Sequence, residues 1–296
     1  MKCRLCGCEE VRIAYQGRIR DGRVGKYYKD AVPMYQCARC GTVWHEDLKE
    51  DYAAFYGSED YRQDLEGTSA IEDFYRMHDG ESLEKLRYTG TEIFRNQVTA
   101  DIGCGGGAFL DYVSTVAKRV VAVEPSRTYR RAMEEKGFAV FPYTEDALKE
   151  YRGKVDVVVS FDVIEHVQDP LKFVAEIFQL LSGGGRAFVG TPTDAPVMRE
   201  LLGPDYESFL FSTQHPWVLG KGSFRYIAEQ CGIREYRCRF YQRYGLGNLI
   251  YWLLKRAPGR HKEYDFITKG LDAHWRADLE TNELSDYIVF EFTKEP

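Results

Sequence analysis

The chain has 296 residues, 44% of them hydrophobic and 29% charged; this balance excludes intrinsic disorder and gives material for one large or two unequal domains. A formal charge of −6 argues against a nucleic-acid partner, whose backbone demands a lysine- and arginine-rich surface. The opening MKCRLCGCEE has no apolar run and no stretch reaches about 18 uncharged apolar residues, so neither a secretory leader nor a membrane span is expected, and the cytoplasm is the expected compartment.

In that reducing compartment cysteines read as metal ligands or free thiols rather than disulfides. Residues 1–48 carry CRLC (Cys3, Cys6) and CARC (Cys37, Cys40), the paired-knuckle spacing that holds one Zn²⁺ through four thiolates. Cys8 could compete and His45 follows the second knuckle, which leaves the fourth ligand open. A closed four-thiolate site has no position for water or substrate, so the expected zinc is structural and fixes a module too short to make its own core.

Residues 49–95 are rich in tyrosine and charge with apolar positions at helical spacing, a helical linker or lid. Its Tyr52, Tyr56 and Tyr61, with Trp217, Tyr251 and Trp252 further on, could wall a sugar ring; core packing is the better reading of such spacing. From residue 96 to 296 strand-like and helix-like runs alternate. VTADIG, RVVAVEP, FAVFPY, VDVVVSF and GRAFVGTP read as strands, and AFLDYVSTVA, SRTYRRAMEEKG and PLKFVAEIFQLLSGGG as helices, the last closed by Gly183–Gly185 as a cap. The tail gives a helix (SFRYIAEQCG), a strand (IREYRCRFY), an insertion at 245–283 that is helical on both sides of a Pro-Gly break, and a last strand, SDYIVFEFTK. Such alternation predicts a doubly wound α/β fold, a mostly parallel sheet covered on both faces by helices.

Asp101-Ile-Gly103-Cys-Gly105-Gly-Gly107-Ala108 lies between a strand and a helix, where glycines let a ligand approach the backbone. It also satisfies the dinucleotide pattern GxGxxA, so the glycines alone do not choose the ligand. Asp101 does: its carboxylate would repel a pyrophosphate by about 4 kcal/mol at about 4 Å and an effective dielectric of about 20, whereas it suits an ammonium or sulfonium. Glu124 ends the next strand, where an acidic side chain can take both ribose hydroxyls. S-adenosylmethionine has an ammonium, a sulfonium and a ribose diol, and no phosphate. A nicotinamide-dependent sugar enzyme is disfavoured by Asp101 and by the lack of a downstream Tyr-x-x-x-Lys.

Through DIGCGGGAF, VVAVEPS, VDVVVSFDVIEHVQDP and LLSGGGRAFVGTP, in order, the sequence resembles the class I S-adenosylmethionine-dependent methyltransferases, with a seven-stranded Rossmann-like sheet. The resemblance implies that Asp101, Gly103, Gly105 and Gly107 surround the methionine part and Glu124 the ribose. It also implies that Glu145 or Asp146 faces the adenine amino group, with Phe161 and Asp162 closing the pocket. The N-terminal YQCARCGTVW is similar to zinc modules that precede the methyltransferase domain in deoxysugar C-methyltransferases and related enzymes. This chain lacks their long C-terminal domain, which puts C-methylation in doubt more than the substrate class.

Methyl transfer needs an aligned acceptor, excluded water and, for a hydroxyl, a base or a metal. If a helix begins after VDVVVSF, then Asp162, Glu165 and His166 share one face at i, i+3, i+4. The resemblance to ubiquinone-pathway O-methyltransferases makes a Mg²⁺ site there one alternative, with His215 in FSTQHPW as the distal ligand. Helix capping by Glu165 and His166, with His215 as a metal-free general base, is the other. The expected activity is O-methylation of a nucleotide- or carrier-linked sugar, with C- or N-methylation next and an RNA-modifying or RNA-binding zinc-ribbon protein as the competing class. A homodimer through the insertion is left open.

Overall fold

The computed structural model describes residues 1–22, 24–48 and 70–296, so Tyr52, Tyr56 and Tyr61 and most of the expected lid lie outside the described residues. In chain order the strands are β1 (Val11–Gly17), β2 (Val32–Cys37), β3 (Val43–Trp44), β4 (Val98–Ile102), β5 (Arg119–Val123), β6 (Ala139–Phe141), β7 (Val155–Phe161), β8 (Leu181–Pro192), β9 (Trp217–Val218), β10 (Glu235–Tyr241) and β11 (Tyr287–Thr293). Two compact units divide the chain. The first holds Met1–Leu48, Thr191–Arg225 and Cys238–Val289; the second holds Lys49–Gly190, described from residue 70, with Tyr226–Arg237 and Phe290–Pro296.

The first unit contains an antiparallel four-stranded sheet in the order β1-β2-β3-β9. Its edge strand β9 comes from far along the chain, pairing Trp44 with Trp217 and Val43 with Val218. Ile19, Met34, Phe211 and Trp252 are among the side chains that pack as one buried cluster, so this unit does build a core. As expected, the insertion forms two helices, Leu246–Lys255 and Lys269–Thr281, on either side of Pro258-Gly259. Thr268 caps the second by accepting the Leu271 N–H.

The seven-stranded sheet runs in the order β10-β11-β8-β7-β4-β5-β6. The pairs β7–β8, β7–β4, β4–β5 and β5–β6 are parallel, and Val121–Val123 and Val157–Val159 are buried, as strands covered on both faces require. Asp156 interrupts the apolar run of β7 because its carboxylate accepts the Val98 N–H and the Ser182 hydroxyl, each at 2.9 Å. On this sheet lie α1 (Ile71–Thr89), α2 (Ala108–Ser114), α3 (Arg127–Glu135), α4 (Thr144–Tyr151) and α5 (Pro170–Leu180). Their starts were legible: Ser126 accepts the Tyr129 N–H at the head of α3, and Asp169 accepts the Lys172 N–H beside Pro170 at N1 of α5.

Two expectations are corrected. Gly183–Gly185 is not a helix cap, because α5 ends at Leu180 and the glycines already belong to β8. Gly184 donates its N–H to Lys294 O and Lys294 donates back to Gly185 O, while a Cβ on Gly185 would stand 3.0 Å from Val155 O. Nor does a helix begin at Asp162. That residue turns the chain in the left-handed region (φ 60), residues 164–166 form a single turn, and the helix waits for Pro170.

Candidate functional site

The C-terminal ends of β4 and β5 present two carboxylates that are both only 4% exposed, Asp101 and Glu124. Between Asp101 and α2 the chain passes through Gly103, Gly105 and Gly107 at φ 78, 55 and 82, a backbone path that only glycine follows without strain. Glu124 organises this turn: its Oε2 accepts the Gly105 N–H and its Oε1 the Ser126 N–H, both at 2.9 Å. Burial pushes the Asp101 carboxyl up to about 7; Lys85 pulls it down in part and Glu124 adds to the rise. Such a group gains most from a cation beside it.

Helix α1 packs on the glycine turn. The Tyr75 hydroxyl donates to Gly106 O at 2.9 Å, and a Cβ on Gly106 would lie 2.6 Å from Ile71 Cδ1 and 2.7 Å from Phe74 Cδ1. The same helix brings Lys85, whose Nζ lies 3.3 Å from Asp162 Oδ2 and 5.6 Å from the centroid of the Phe161 ring. Sequence reasoning missed Lys85, since a lysine in a charged helical segment looks like a solvated face. Phe161 packs edge-on against Tyr88 and Phe109, each at 5.8 Å between centroids. The second unit therefore brings together Asp101, the three glycines, Glu124, Phe161 and Asp162.

At the start of α4, Glu145 is exposed and paired with Lys172, and Asp146 Oδ1 takes Lys149 Nζ at 2.7 Å. The Lys172 ammonium beside Glu145 holds its carboxyl below the ordinary range. Glu165 is buried and His166 half-buried, both in the turn after Asp162, where the His166 N–H donates to Val163 O at 2.9 Å.

His215 belongs to the first unit, in a loop stitched to the N-terminal module. Arg20 N–H donates to Phe211 O at 3.0 Å, Thr213 N–H to Arg20 O at 2.9 Å, and the Thr213 hydroxyl to Asp21 Oδ1 at 2.8 Å. His45 is fully buried there, with Nε2 3.1 Å from Ser212 O and Nδ1 2.7 Å from Glu46 O. Each ring nitrogen faces a carbonyl, of which the neutral ring donates to one; burial lowers its pKa, and the two carbonyls offset that in part.

Cys3, Cys6, Cys37 and Cys40 are buried free thiols whose sulfurs all lie within 4.8 Å of one another. Cys3 and Cys40 sulfurs are 3.7 Å apart and those of Cys6 and Cys37 3.5 Å. Four sulfurs bonded tetrahedrally to zinc at about 2.3 Å would stand about 3.8 Å apart, whereas a disulfide closes to about 2.05 Å. The N–H groups of Cys6 and Cys40 point at the Cys3 and Cys37 sulfurs at 3.5 Å, so the set fits a zinc ion with backbone support. Cys8 is outside the cluster; its carbonyl instead accepts the Cys3 N–H at 2.8 Å.

Residues 76–234 match the family model described as a methyltransferase domain. A ubiquinone biosynthesis O-methyltransferase of Caulobacter vibrioides is 36% identical over 105 residues, which is 33% of this chain and 42% of that protein. A protein of Mycobacterium tuberculosis named a probable S-adenosylmethionine-dependent methyltransferase is 35% identical over 101 residues, 31% of this chain and 34% of its own. The chain thus spans less than half the length of these two relatives. In fold it is similar to a SAM-dependent methyltransferase from Archaeoglobus fulgidus, with a TM-score of 0.52 at 18% identity over 76% of this chain and 98% of that one. One from Thermotoga maritima gives 0.52 at 15% identity over 83% of this chain and 100% of that one. Among the described residues no helix is long and apolar enough to cross a membrane.

Proposed function

The chain belongs to the family of methyltransferase domains, and on that premise we propose that it moves the methyl group of S-adenosylmethionine to a hydroxyl of a small polar acceptor, a nucleotide- or carrier-linked sugar. One observation carries the cofactor: two buried carboxylates, Asp101 and Glu124, flank a left-handed glycine turn at the C-terminal edge of parallel strands. That arrangement receives a cation and a diol and disfavours a phosphate.

When bound, S-adenosylmethionine supplies a methyl group on a positively charged sulfur. Asp101 and the glycine turn hold the ammonium, Lys85 the methionine carboxylate and Glu124 the ribose hydroxyls. Asp146 is the better partner than exposed Glu145 for the adenine amino group, and Phe161 and Asp162 close the pocket. The cofactor would supply the methyl carbon to the acceptor oxygen with its sulfur as the leaving group; His215 would take the hydroxyl proton, and Glu165 and His166 would orient the acceptor. O-methylation accords with the names of the ubiquinone-biosynthesis relatives. The sugar class rests on the likeness of the cysteine module to those of deoxysugar enzymes. Zn²⁺ on Cys3, Cys6, Cys37 and Cys40 is structural.

The test is labelled-methyl transfer to a panel of nucleotide sugars and small phenols, with and without EDTA, while zinc content is monitored. Label on a nucleotide sugar supports the proposal, and label on phenols alone overturns the acceptor class. Activity lost to EDTA with zinc intact would replace the metal-free base by Mg²⁺ on Asp162, Glu165 and His166. No binding of S-adenosylhomocysteine would overturn the cofactor itself.

A further inference from the structure

A cavity of about 100 Å³ opens on the first unit, lined by none of the cofactor or zinc residues. Its floor is Ser208 and the edge of Trp252, both buried; Tyr27 and Phe209 stand as walls; Arg256 and Asp205 sit at the mouth. The insertion helix Leu246–Lys255 thus supplies one side, which gives this segment a use that the sequence left blank.

The walls are set before any ligand arrives. Phe209 and Trp252 meet edge to face at 88° with centroids 4.9 Å apart, so the buried Trp252 backs the cavity and holds the Phe209 ring in place. Arg20 braces Phe209 by donating to its carbonyl at 3.2 Å and standing 5.4 Å from its ring centroid, and a further bond to Gly22 O at 2.9 Å completes the brace. The Arg18 guanidinium lies 4.0 Å from the Tyr27 centroid. Aromatic surfaces held this way receive the apolar face of a flat ring at little cost in side-chain entropy.

The mouth is polar and exchangeable. Arg256 is fixed at its backbone, in the left-handed region (φ 54) with its N–H on Trp252 O at 2.8 Å, but its side chain is 70% exposed. It reaches Asp205 Oδ2 at 3.2 Å, a water-exposed pair of the kind that contributes little to stability and yields to a better anion. A phosphate can accept two parallel bonds from a guanidinium, while the released Asp205 is free to accept from a ring hydroxyl. At about 100 Å³ the cavity is smaller than the roughly 150 Å³ that holds benzene, so it receives part of one ring and leaves the phosphate outside, at Arg256.

We propose that this cavity binds the sugar phosphate of a ring-bearing phosphate ester, the ring between Tyr27, Phe209 and Trp252 and the phosphate on Arg256. The choice of a sugar rests on the acceptor class proposed above; the binding does not, because it is read without methyl transfer. Calorimetric titration of the full chain with uridine monophosphate and glucose 1-phosphate should give heat that glucose alone and inorganic phosphate alone match only at about tenfold higher concentration. Arg256→Gln and Tyr27→Ala, both at exposed positions, should each weaken that binding about fivefold or more and leave S-adenosylhomocysteine affinity and thermal midpoint unchanged. Equal binding of inorganic phosphate, equal binding by both variants, or no heat up to about 10 mM ligand would each overturn the assignment. Failure here with intact methylation of a nucleotide sugar removes this site only; methylation confined to phenols with intact sugar-phosphate binding removes the acceptor class only.

Discussion

Glu124 Oε2 accepts the Gly105 N–H at 2.9 Å while its Oε1 accepts the Ser126 N–H at the same distance, so one buried carboxylate ties the turn after β4 to the turn after β5. Hydrogen bonds to a charged acceptor contribute roughly 1.5–3 kcal/mol each, and the orphaned donor adds its own desolvation cost. In Glu124→Gln one amide oxygen can serve one N–H, and the amide NH₂ is turned against the other. The expected loss is about 2 kcal/mol of stability by urea denaturation and about tenfold in S-adenosylhomocysteine affinity by calorimetry. A variant equal to wild type in both would remove Glu124 from the turn and from the ribose.

Asp101 sets a pH dependence whose sign is fixed by the direction of its shift. Its carboxyl titrates at about 7 in the fold against 3.8 when unperturbed, so the folded state binds the proton more tightly. The contribution of the protonated group is complete below about pH 4 and fades as pH rises to about 7, by at most some 4 kcal/mol. A bound ammonium favours the ionised form, so S-adenosylhomocysteine affinity should climb between pH 5.5 and 7.5 by up to about tenfold per unit and level off above. Calorimetry in buffers of different ionisation enthalpy should register a proton released on binding below pH 7. Asp101→Asn should flatten both trends, and a flat wild-type profile would contradict the assignment.

Much of this fold could be read from residue order alone, because its signals are local. Ser126 and Asp169 precede their helices with a side chain that accepts the third N–H on, and the valine runs of β5 and β7 are too apolar to be anything but doubly covered strands. What escaped depends on distant partners. Gly183–Gly185 fits a helix cap until Lys294 arrives to pair with it as a strand. Asp162 fits the first turn of a helix until its N–H is claimed by Gly190 O at 2.9 Å, which holds the chain in a left-handed turn. Trp217-Val218 is too short to show a period and becomes a strand only against Val43 and Trp44. His45 follows the second cysteine pair as a ligand would, yet its ring lies against Glu46 O and Ser212 O and outside the cysteine cluster.

One strand in from the edge of the main sheet lies another carboxylate with a structural task. Glu291 on β11 is buried and takes Arg237 Nε at 2.8 Å and Nη2 at 3.0 Å, with Arg186 on its other side. Both arginines are partly in water, so removing one leaves the carboxylate a partner and should cost Arg237→Met less than about 1 kcal/mol. Glu291→Ala strips both guanidiniums of their anion and opens a hole in the strand, with an expected loss of about 3 kcal/mol in urea denaturation. An Arg237 variant more damaging than the Glu291 one would reverse the assignment.

Zinc should be present at one ion per chain by elemental analysis, and Cys6→Ser or Cys37→Ser should abolish it. The hydrogen bonding of the cysteine cluster extends past the cysteines, since Thr42 Oγ1 lies 3.2 Å from Cys40 Sγ and 2.8 Å from Ser223 Oγ. Thr42→Val keeps the shape and removes the hydroxyl, so its zinc should be released to a chelator about tenfold to a hundredfold faster while the stoichiometry stays at one. Release unchanged by Thr42→Val would confine the site to its four sulfurs.

Gly103 is the position where the turn is least forgiving. At φ 78 an added Cβ would stand 2.3 Å from Val163 Cγ2 and 3.3 Å from Cγ1, so alanine meets a disfavoured backbone and a collision together. The backbone part costs about 1–2 kcal/mol and cannot be relieved from outside. The collision can, because Val163→Ala removes both offending methyl groups. Gly103→Ala should therefore lower stability by about 3 kcal/mol, and the double variant should recover more than the two single losses predict, with a coupling of about 1 kcal/mol or more. S-adenosylhomocysteine binding should remain impaired in the double variant, since the backbone strain at φ 78 stays in the glycine turn. Additive losses would mean that Val163 yields freely, and full recovery of binding would mean that Gly103 serves packing alone.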